Sequence, residues 1–243
     1  MQKHTIRENS FLCGIRDGVP ICIGYISVAF AFGIFSVSNG LTAVEALLIS
    51  MTNVTSAGQL AAVPIMIASG SLLELALSQL VINLRYALMS VSLSQKLDSS
   101  VTLADRFLIA FVNTDEVFAV ASSKKEVGRY YMFGLILTPF LGWSAGTFVG
   151  AAAGSILPAL VISALGVAIY GMFIAIVVPV AKEDRHTLFC VLIAIALSCL
   201  FHFLPLLSTV QSGFVIIICA VTASVIAAAL FPIDVPREEE EGV

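Results

Sequence analysis

A run of polar residues interrupts a long apolar stretch at positions 52–59, which read Thr-Asn-Val-Thr-Ser-Ala-Gly-Gln. Hydroxyl and amide groups bind small polar molecules through directed hydrogen bonds, whereas an unpaired polar group in hydrocarbon costs several kcal/mol, roughly. We therefore predict that this run binds a small polar molecule. The predicted binding residues are six from the run and one amide from the next apolar stretch: Thr52, Asn53, Thr55, Ser56, Gly58, Gln59 and Asn83.

The sequence leaves two conformations of this run open. In a continuous helix, a step of about 100° per residue places four polar side chains on one face: Glu45, Thr52, Ser56 and Gln59. A helix broken near Gly58 would instead offer backbone amides and carbonyls to the two charged ends of a zwitterion. The alternative to binding is structural, with hydroxyls bonded back to the helix and Gln59 joining two helices. The run as a whole favours binding.

Ionisable side chains within apolar stretches are the candidates for ion coupling or ion pairing, because a charge at a helix centre in a membrane costs about 2.5 to 3.5 kcal/mol. Glu74 and Arg85 lie about 16 Å apart along one helix, too far to pair. We predict that Arg85 pairs with a carboxylate of the next stretch; the alternative is that those carboxylates are solvated near a membrane surface. The candidates are Glu45, Glu74, Arg85, Asp115 and Glu116.

Other classes of chemistry lack their sequence patterns. The chain contains neither HExxH nor GxSxG, and its five cysteines are dispersed without metal-ligand spacing. We therefore predict no catalytic residues, no metal site and no cofactor, so the protein is not expected to be an enzyme. The 12 basic residues form no patch, which argues against a nucleic-acid partner.

The composition indicates a protein that lies in a lipid bilayer. Hydrophobic residues make up 59% of the 243 residues, charged residues 12%, and the mean hydropathy is +1.03, whereas soluble domains carry about 25% charged residues. Several apolar stretches are long enough to cross a hydrocarbon core of about 30 Å as helices. The predicted fold class is all-α, a polytopic transmembrane bundle with interrupted helices.

Eight apolar stretches predict about seven or eight spans. The fourth is short and contains Asp115 and Glu116, so a full span, a re-entrant helix and an interfacial helix all remain open. The predicted organisation is a cytoplasmic segment at 1–17, a transmembrane domain at 18–231 and an acidic tail at 232–243, with the first span not cleaved. The stretches are 18–38, 43–69, 71–93, 107–121, 130–153, 157–181, 187–204 and 208–231.

The distribution of basic residues predicts the orientation. They cluster before the first span, at 124–129 and at 182–185. Eight crossings with both termini in the cytoplasm satisfy the positive-inside rule. This arrangement places the link 94–106 outside, where Lys96 and Arg106 are a weak violation.

Two parts of the chain indicate an internal repeat. Residues 24–64 and 142–179 each begin with glycine and an aromatic residue and end with proline after a glycine interruption, at Gly58 in the first and at Gly166 with Gly171 in the second. Paired interruptions of this kind are typical of transporter repeats that bind near the membrane midplane. The alternative is that glycine is simply common in membrane helices.

A second glycine pattern predicts close helix packing. Gly142, Gly146, Gly150 and Gly154 recur every four residues, which lets a neighbouring backbone approach. The pattern does not decide whether that neighbour belongs to the same chain or to another protein.

Five short motifs occur in order within residues 16–205: Gly24-Tyr25 with Phe30-Ala31-Phe32-Gly33, Glu45-Ala46-Leu47-Leu48 before the run that ends at Gln59, Asn83-Leu84-Arg85-Tyr86, Thr114-Asp115-Glu116-Val117-Phe118-Ala119, and Gly142-Trp143. Together they resemble the AzlC family, the large subunit of bacterial branched-chain amino acid exporters. One departure concerns residues 54–59, where many members have Phe-Ala-Gly-small-small-Gln.

The resemblance implies export of branched-chain or similar neutral amino acids, with a small AzlD-type membrane subunit as partner. It also implies a multi-pass protein of the bacterial plasma membrane, the cell inner membrane. The extra hydroxyl groups of the run bear on which substrate is carried. Two other functions stay open: a non-transporting membrane scaffold subunit, and a carrier of a different small solute.

Overall fold

The computed structural model describes residues 10–154, 156–158, 160, 171, 174, 177–204, 207 and 209–232. The chain divides into two compact units, Met1–Met172 and Phe173–Val243. Within the described residues the regular structure is helical apart from one isolated bridge between Leu97 and Val127, so the all-α prediction is confirmed. The predicted stretch 157–181 lies largely outside the described residues.

In the first unit the described helices are α1 (Phe11–Ser38), α2 (Ala43–Thr52), α3 (Ser56–Ile67), α4 (Leu72–Ser94), α5 (Leu103–Phe111), α6 (Asp115–Ser122) and α7 (Arg129–Gly154). In the second unit they are α8 (Arg185–Phe203) and α9 (Ser212–Leu230). Five helices of the described part of the chain, α1, α4, α7, α8 and α9, are long and apolar enough to cross a membrane. A helical membrane bundle with interrupted helices is therefore confirmed.

Helices α1 and α7 pack with their backbones in close contact. A Cβ atom on Gly14 would lie 2.1 Å from the carbonyl oxygen of Tyr131, and one on Gly150 would lie 2.0 Å from that of Phe30. Residue numbers rise together along the contact, so the two helices run parallel. The predicted glycine stripe thus packs against α1 of the same chain, and the facing pairs are Gly142 with Cys22, Gly146 with Ile26 and Gly154 with Ile34.

The start of α1 and the start of α7 lie on one side of the first unit, which we call the near side. The Tyr131 hydroxyl donates to Asp17 Oδ2 at 2.7 Å, and Lys124 Nζ lies 3.3 Å from the same oxygen. Helix α4 also ends there, since the Asp98 amide donates to the Val127 carbonyl at 3.0 Å. The opposite side, where α1 ends, is the far side.

The stretch 43–69 forms a re-entrant hairpin, which we call the first hairpin (α2 and α3). Helix α2 begins five residues after α1 ends, on the far side. The 23 residues of α4 cover about 34 Å from their near-side end, so Leu72, five residues after α3 ends, also lies on the far side. Helices of 10 and 12 residues reach about half of a bilayer each. The tip at 53–55 therefore lies at mid-depth.

The fourth predicted stretch forms a second re-entrant hairpin (α5 and α6) from the near side. Asp105 in the first turn of α5 pairs with Arg129 at 3.1 Å. At the other end, Lys96 Nζ donates to the carbonyl of Ser122 and, at 3.2 Å, to that of Lys124. Of the three possibilities left open by the sequence, the structure shows the re-entrant one, with its tip at 112–114.

Re-entry corrects the predicted placement of the link 94–106. A hairpin that returns to its side of entry adds no crossing, so this link lies on the near side, together with the start of α1 and the basic residues 124–129. The prediction that it lies outside was wrong. Lys96 and Arg106 now lie on the same side as the basic residues 124–129, so the weak violation of the positive-inside rule in this link disappears.

In the second unit, α8 and α9 pack against each other. The imidazole ring of His186 lies 4.4 Å from the ring of Phe231, centre to centre. Asp184 caps the start of α8, and its hydrogen bonds from Thr187 and His186 lower the pKa of its carboxyl group.

Re-entry predicts which loops share a side. Cysteines introduced at Ser99 and Lys125 should react with a membrane-impermeant maleimide from the near side only, and cysteines at Asn39 and Ala68 from the far side only. The reaction is measured in oriented vesicles, with the five native cysteines as background. Labelling of positions 99 and 125 from opposite sides would contradict the second hairpin. Labelling of positions 39 and 68 from opposite sides would contradict the first hairpin.

The α1 to α7 contact predicts a large effect of a single methyl group. Gly150→Ala places its Cβ against the Phe30 backbone, which cannot move without shifting a helix, so the folded state should lose about 1–3 kcal/mol. Gly24→Ala is the matched control because a Cβ there meets nothing within 4 Å. Thermal unfolding of the purified variants in detergent measures both, and equal losses would contradict the close contact.

Candidate functional site

The first hairpin breaks at residues 53–55 and not at Gly58. The β-branched pair Val54 and Thr55 favours extended backbone over helix, and Thr55 is extended as the N-cap residue of α3. Gly58 lies inside α3, where a Cβ would come within 2.6 Å of side-chain atoms of Gln79 and Thr55. Glycine is therefore needed at this position for close packing, not for a break.

Gln79 of α4 joins the two halves of this hairpin. Its Oε1 accepts from Asn53 Nδ2 at 3.0 Å, and its Nε2 donates to the carbonyl of Gly58 at 2.9 Å. Asn83, one turn further along α4, donates from Nδ2 to the same Oε1 at 3.3 Å. Gln79 thus bonds to one group on each side of the break, and Asn83 bonds to Gln79.

Thr55 and Gln59 are buried polar residues one helical turn apart on the same face of α3. Thr55 is 4% exposed and Gln59 is 0% exposed. Within the described part of the chain, Thr55 Oγ1 and both amide atoms of Gln59 have no hydrogen-bond partner. Each such group costs about 1–3 kcal/mol when left unpaired, so this turn of α3 is suited to a bound polar molecule.

The tip of the second hairpin is held by Tyr25, near the middle of α1. The Tyr25 hydroxyl lies 2.6 Å from Thr114 Oγ1 and 2.5 Å from Glu116 Oε2. A phenol has one proton, and a carboxylate is the stronger acceptor. Tyr25 therefore donates to Glu116 while the Thr114 hydroxyl donates to Tyr25. This chain connects the N-cap residue of α6 to a carboxylate.

Arg85 of α4 forms an ion pair with Asp115, the first residue of α6. Arg85 Nη2 lies 2.8 Å from Asp115 Oδ2, and the two side chains are 55% and 44% exposed. A charge facing hydrocarbon at this depth is costly, so such a pair faces water or protein. The pair marks the edge of a polar region beside the second tip.

The two hairpin tips belong to one layer of the first unit. Trp143 Nε1 donates to the carbonyl of Ser50 in α2 at 3.1 Å, and its ring meets that of Tyr25 edge-on at 5.1 Å. Tyr25 in turn holds the second tip. Val54 and Val112, one from each tip, lie in the same hydrophobic cluster. Two aromatic side chains therefore connect the hairpins at mid-depth.

The two tips have opposite electrostatic character. Helices α3 and α6 both begin at a tip, and neither N-cap threonine makes a side-chain capping bond. The first turn of α3 contains no acidic residue, so its free amides favour an anion. The first turn of α6 carries Asp115 and Glu116, which favour a cation. This arrangement is complementary to a zwitterion.

Of the predicted site residues, Asn53, Thr55 and Gln59 lie at the first tip with Ser56, Gly58 and Asn83, and Arg85, Asp115 and Glu116 lie at the second. The other three predicted residues, Thr52, Glu45 and Glu74, lie elsewhere on α2 and α4.

Thr52 donates to the Leu48 carbonyl of its own helix at 2.7 Å. Glu45 forms a capping box with Thr42 at the far-side start of α2. Glu74 is buried at the far-side start of α4. Thr52 and Glu45 thus have local roles in helix structure.

The sequence analysis missed Tyr25 and Gln79 as site residues, and it placed the second break elsewhere. The predicted counterpart at 166–179 lies largely outside the described residues, whereas the second break of the described chain lies at 112–114. A signal was present. In both tips an asparagine, Asn53 or Asn113, is followed within two residues by an N-cap threonine, and Gln79 precedes Asn83 by one turn.

Among the residues that the structure describes, no group of histidine, cysteine, aspartate and glutamate side chains is arranged to hold a metal ion. The site therefore consists of amide, hydroxyl, carboxylate and guanidinium groups together with two helix ends.

The chain is similar to known membrane proteins. The model of the AzlC protein family matches residues 20–157. An uncharacterized membrane protein of Archaeoglobus fulgidus is 36% identical over 186 residues, which cover 75% of this chain and 81% of the relative. Inner membrane protein YgaZ of Escherichia coli K12 is 31% identical over 195 residues, 76% of this chain and 78% of the relative.

A more distant relative is an uncharacterized membrane protein of Helicobacter pylori, 26% identical over 155 residues, which cover 60% of this chain and 67% of the relative. No solved structure gives a significant match to the chain. A multi-pass membrane location agrees with these names and with the five long apolar helices of the described residues.

The Tyr25 contacts predict a specific loss of stability. Tyr25→Phe keeps the ring against Trp143 but removes the hydroxyl that bonds to Glu116 and Thr114, so the folded state should lose about 1–3 kcal/mol. Tyr130→Phe is the control because Tyr130 is largely exposed. Thermal unfolding in detergent is the measurement, and a Tyr25→Phe protein as stable as the control would show that the hydroxyl does not hold the second tip.

Proposed function

Because the chain belongs to the AzlC family of transporter-type membrane proteins, we propose that it exports branched-chain or similar neutral amino acids. The observation that carries this proposal is the pair of helix ends at mid-depth, one free of acidic residues and one carrying two carboxylates. The substrate carboxylate binds at the start of α3 and its ammonium group lies toward Asp115 and Glu116. Thr55 and Gln59 complete the carboxylate side through their unpaired polar atoms.

The surroundings of the two tips suit a neutral side chain. Val54, Val112 and Trp143 belong to one hydrophobic cluster, so apolar side chains lie next to both helix ends. An additional charge on the substrate would be desolvated there without a partner, which costs far more than an aliphatic side chain gains. The proposed site thus has partners for the carboxylate and the ammonium group of the substrate but none for a charge on its side chain, which selects neutral amino acids.

Three ionisable side chains are placed to take part in coupling. Glu116 shares the Tyr25 hydroxyl with the N-cap residue of α6, so a change of its protonation state would alter the hydrogen bonds of the second tip. Asp115 is paired with Arg85 on the neighbouring helix. An ammonium group that binds near these carboxylates competes with Arg85 and Tyr25 for them. Substrate binding and rearrangement of the second hairpin are linked in this way.

The family also suggests the setting. We propose a multi-pass location in the bacterial plasma membrane and assembly with a small AzlD-type subunit. Helix α4 offers a surface for such a partner in a row of exposed apolar side chains at helical spacing, Leu80, Leu84, Leu88 and Val91. Lipid satisfies the same row, so the partner is proposed from the family alone. No catalytic role is proposed.

A non-transporting scaffold is the second candidate. The feature that favoured it was the glycine stripe of α7, but α1 occupies that stripe in this structure. Counterflow of labelled valine in vesicles, with and without the small partner, separates the two candidates, because a scaffold gives no exchange in either preparation. Competition by a panel of other solutes in the same vesicles identifies a carrier of a different molecule.

Gln59 provides the direct test of the binding site. Gln59→Leu keeps the volume but removes both amide atoms, so the half-saturating valine concentration in counterflow should rise about 10- to 100-fold, or exchange should be lost. Gln95→Leu is the control, because Gln95 is exposed in the near-side link. Wild-type counterflow from the Gln59→Leu protein would exclude the first tip as the substrate site.

A further inference from the structure

A cavity of about 300 Å³ lies on the near side between the last turns of α4 and helix α5. We propose that it is a second binding site, a vestibule that captures neutral amino acids with aliphatic side chains before they reach the hairpin tips. This inference rests on the proposed function. The residues that carry it are Leu93, Leu97, Ile109, Ala110, Arg106 and Asn113, all of which line the cavity.

The inner end of the vestibule presents a buried acceptor. Asn113 is 2% exposed, and its Nδ2 donates to Ser90 Oγ at 3.2 Å, which fixes the orientation of the amide. Its Oδ1 is buried and has no hydrogen-bond partner among the described residues. A carbonyl oxygen in this situation requires a donor. The ammonium group of an amino acid supplies one, whereas a lipid acyl chain does not.

The outer part of the vestibule presents a cation. Arg106 lines the cavity and takes part in no ion pair among the residues described. The neighbouring carboxylate of Asp105 is already bound to Arg129 and to the amide and hydroxyl of Thr102. Arg106 is thus left to bind a carboxylate from outside the chain. Arg106 precedes Asn113 by seven residues, about 10 Å along the chain. The long side chain of Arg106 spans part of this distance.

The walls between these polar groups are apolar. Leucine, isoleucine, valine, alanine and phenylalanine side chains make up most of the lining, beside Ser90 and Ser94, and the volume is near the lower end of those found for small-molecule sites. A charged or strongly polar substrate side chain would have no partner against this wall. The vestibule therefore selects the same class of molecule as the hairpin tips. In both sites the two charged groups of the amino acid have polar partners and its side chain has apolar ones.

The position of the vestibule gives it a place in the transport path. Asn113 immediately precedes Thr114, whose hydroxyl contacts Tyr25 at the second tip. A molecule bound at Asn113 is therefore one residue from the site between the tips. The cavity lies at the near-side end of α4 and beside α5, and the clustered basic residues favour this side as cytoplasmic. It is the expected location for loading a molecule that is to be exported.

The test is equilibrium binding of labelled leucine to the full chain in lipid nanodiscs. The wild-type protein should bind two molecules per chain, and Ile109→Trp, which fills the cavity, should bind one. Leu108→Trp is the matched control, since Leu108 is the adjacent residue of α5, is 57% exposed and does not line the cavity; it should bind two. Two molecules bound by Ile109→Trp with wild-type affinity would overturn the vestibule.

A second variant covers the case in which Ile109→Trp does not fold. Arg106→Gln should weaken the vestibule site for leucine about tenfold and leave its affinity for leucinamide, which lacks the carboxylate, unchanged. Lys125→Gln, an exposed near-side charge, serves as the control. Equal weakening for both probes, or for both variants, overturns the assignment of Arg106. Native mass spectrometry tests whether lipid fills the cavity instead. If the wild type binds one leucine and a phospholipid, and Ile109→Trp loses the phospholipid, the cavity is a lipid site and the proposed vestibule is overturned.

A failure of the proposed function can be distinguished from a failure of the proposed vestibule. Gln59→Leu should lose the site between the tips and keep the vestibule, so one leucine remains bound while counterflow is lost. Two leucines and normal counterflow in that variant contradict the proposed site between the tips and leave the vestibule supported.

Discussion

The backbone contact between α1 and α7 is the interaction on which the site depends. Glycines on both helices bring the main chains together along their length, and this fixes Tyr25 of one helix against Trp143 of the other. Each ring then holds one hairpin, Trp143 through the Ser50 carbonyl and Tyr25 through Thr114 and Glu116. Bulkier residues at the glycine positions would separate the helices and, with them, the two points that set the depth of both tips.

Interrupted helices are expensive in a membrane because each break frees backbone groups that lipid does not satisfy. Here Trp143 of α7 donates to the Ser50 carbonyl in the last turn of α2, while Gln79 of α4 bonds to groups on both sides of the first break and Tyr25 of α1 bonds to side chains of the second tip. The compensation is incomplete within the described residues, since polar atoms of Thr55, Gln59, Asn83 and Asn113 remain without partners. These atoms lie on the elements that form the two proposed binding sites, and a substrate that pairs with them offsets the remaining cost.

The sequence predicted the membrane fold, the helix interruption and the glycine packing because each depends on composition or on spacing within one segment. It did not predict re-entry of residues 43–69, and for the fourth stretch it left re-entry open beside two alternatives. Residues 43–69 are long enough to cross a bilayer, and only the far-side position of Leu72, fixed by contacts at the other end of α4, shows that the segment turns back. The position of Gln79 opposite the first break depends on tertiary packing in the same way. The charged residues did predict one tertiary contact, a carboxylate beside Arg85, and Asp115 lies 2.8 Å from it.

The opposite polarity of the two tips follows from re-entry itself. A hairpin from either side places the N-terminus of its second helix at mid-depth, so two hairpins that enter from opposite sides bring two positive helix ends to the same layer. Two such ends alone would favour an anion. Asp115 and Glu116 in the first turn of α6 neutralise one end and reverse its sign, while the Ser-Ala-Gly start of α3 leaves the other end unchanged. The pairing of a bare helix end with an acidic one therefore makes the layer suited to a zwitterion, and it requires no charged residue at the first tip.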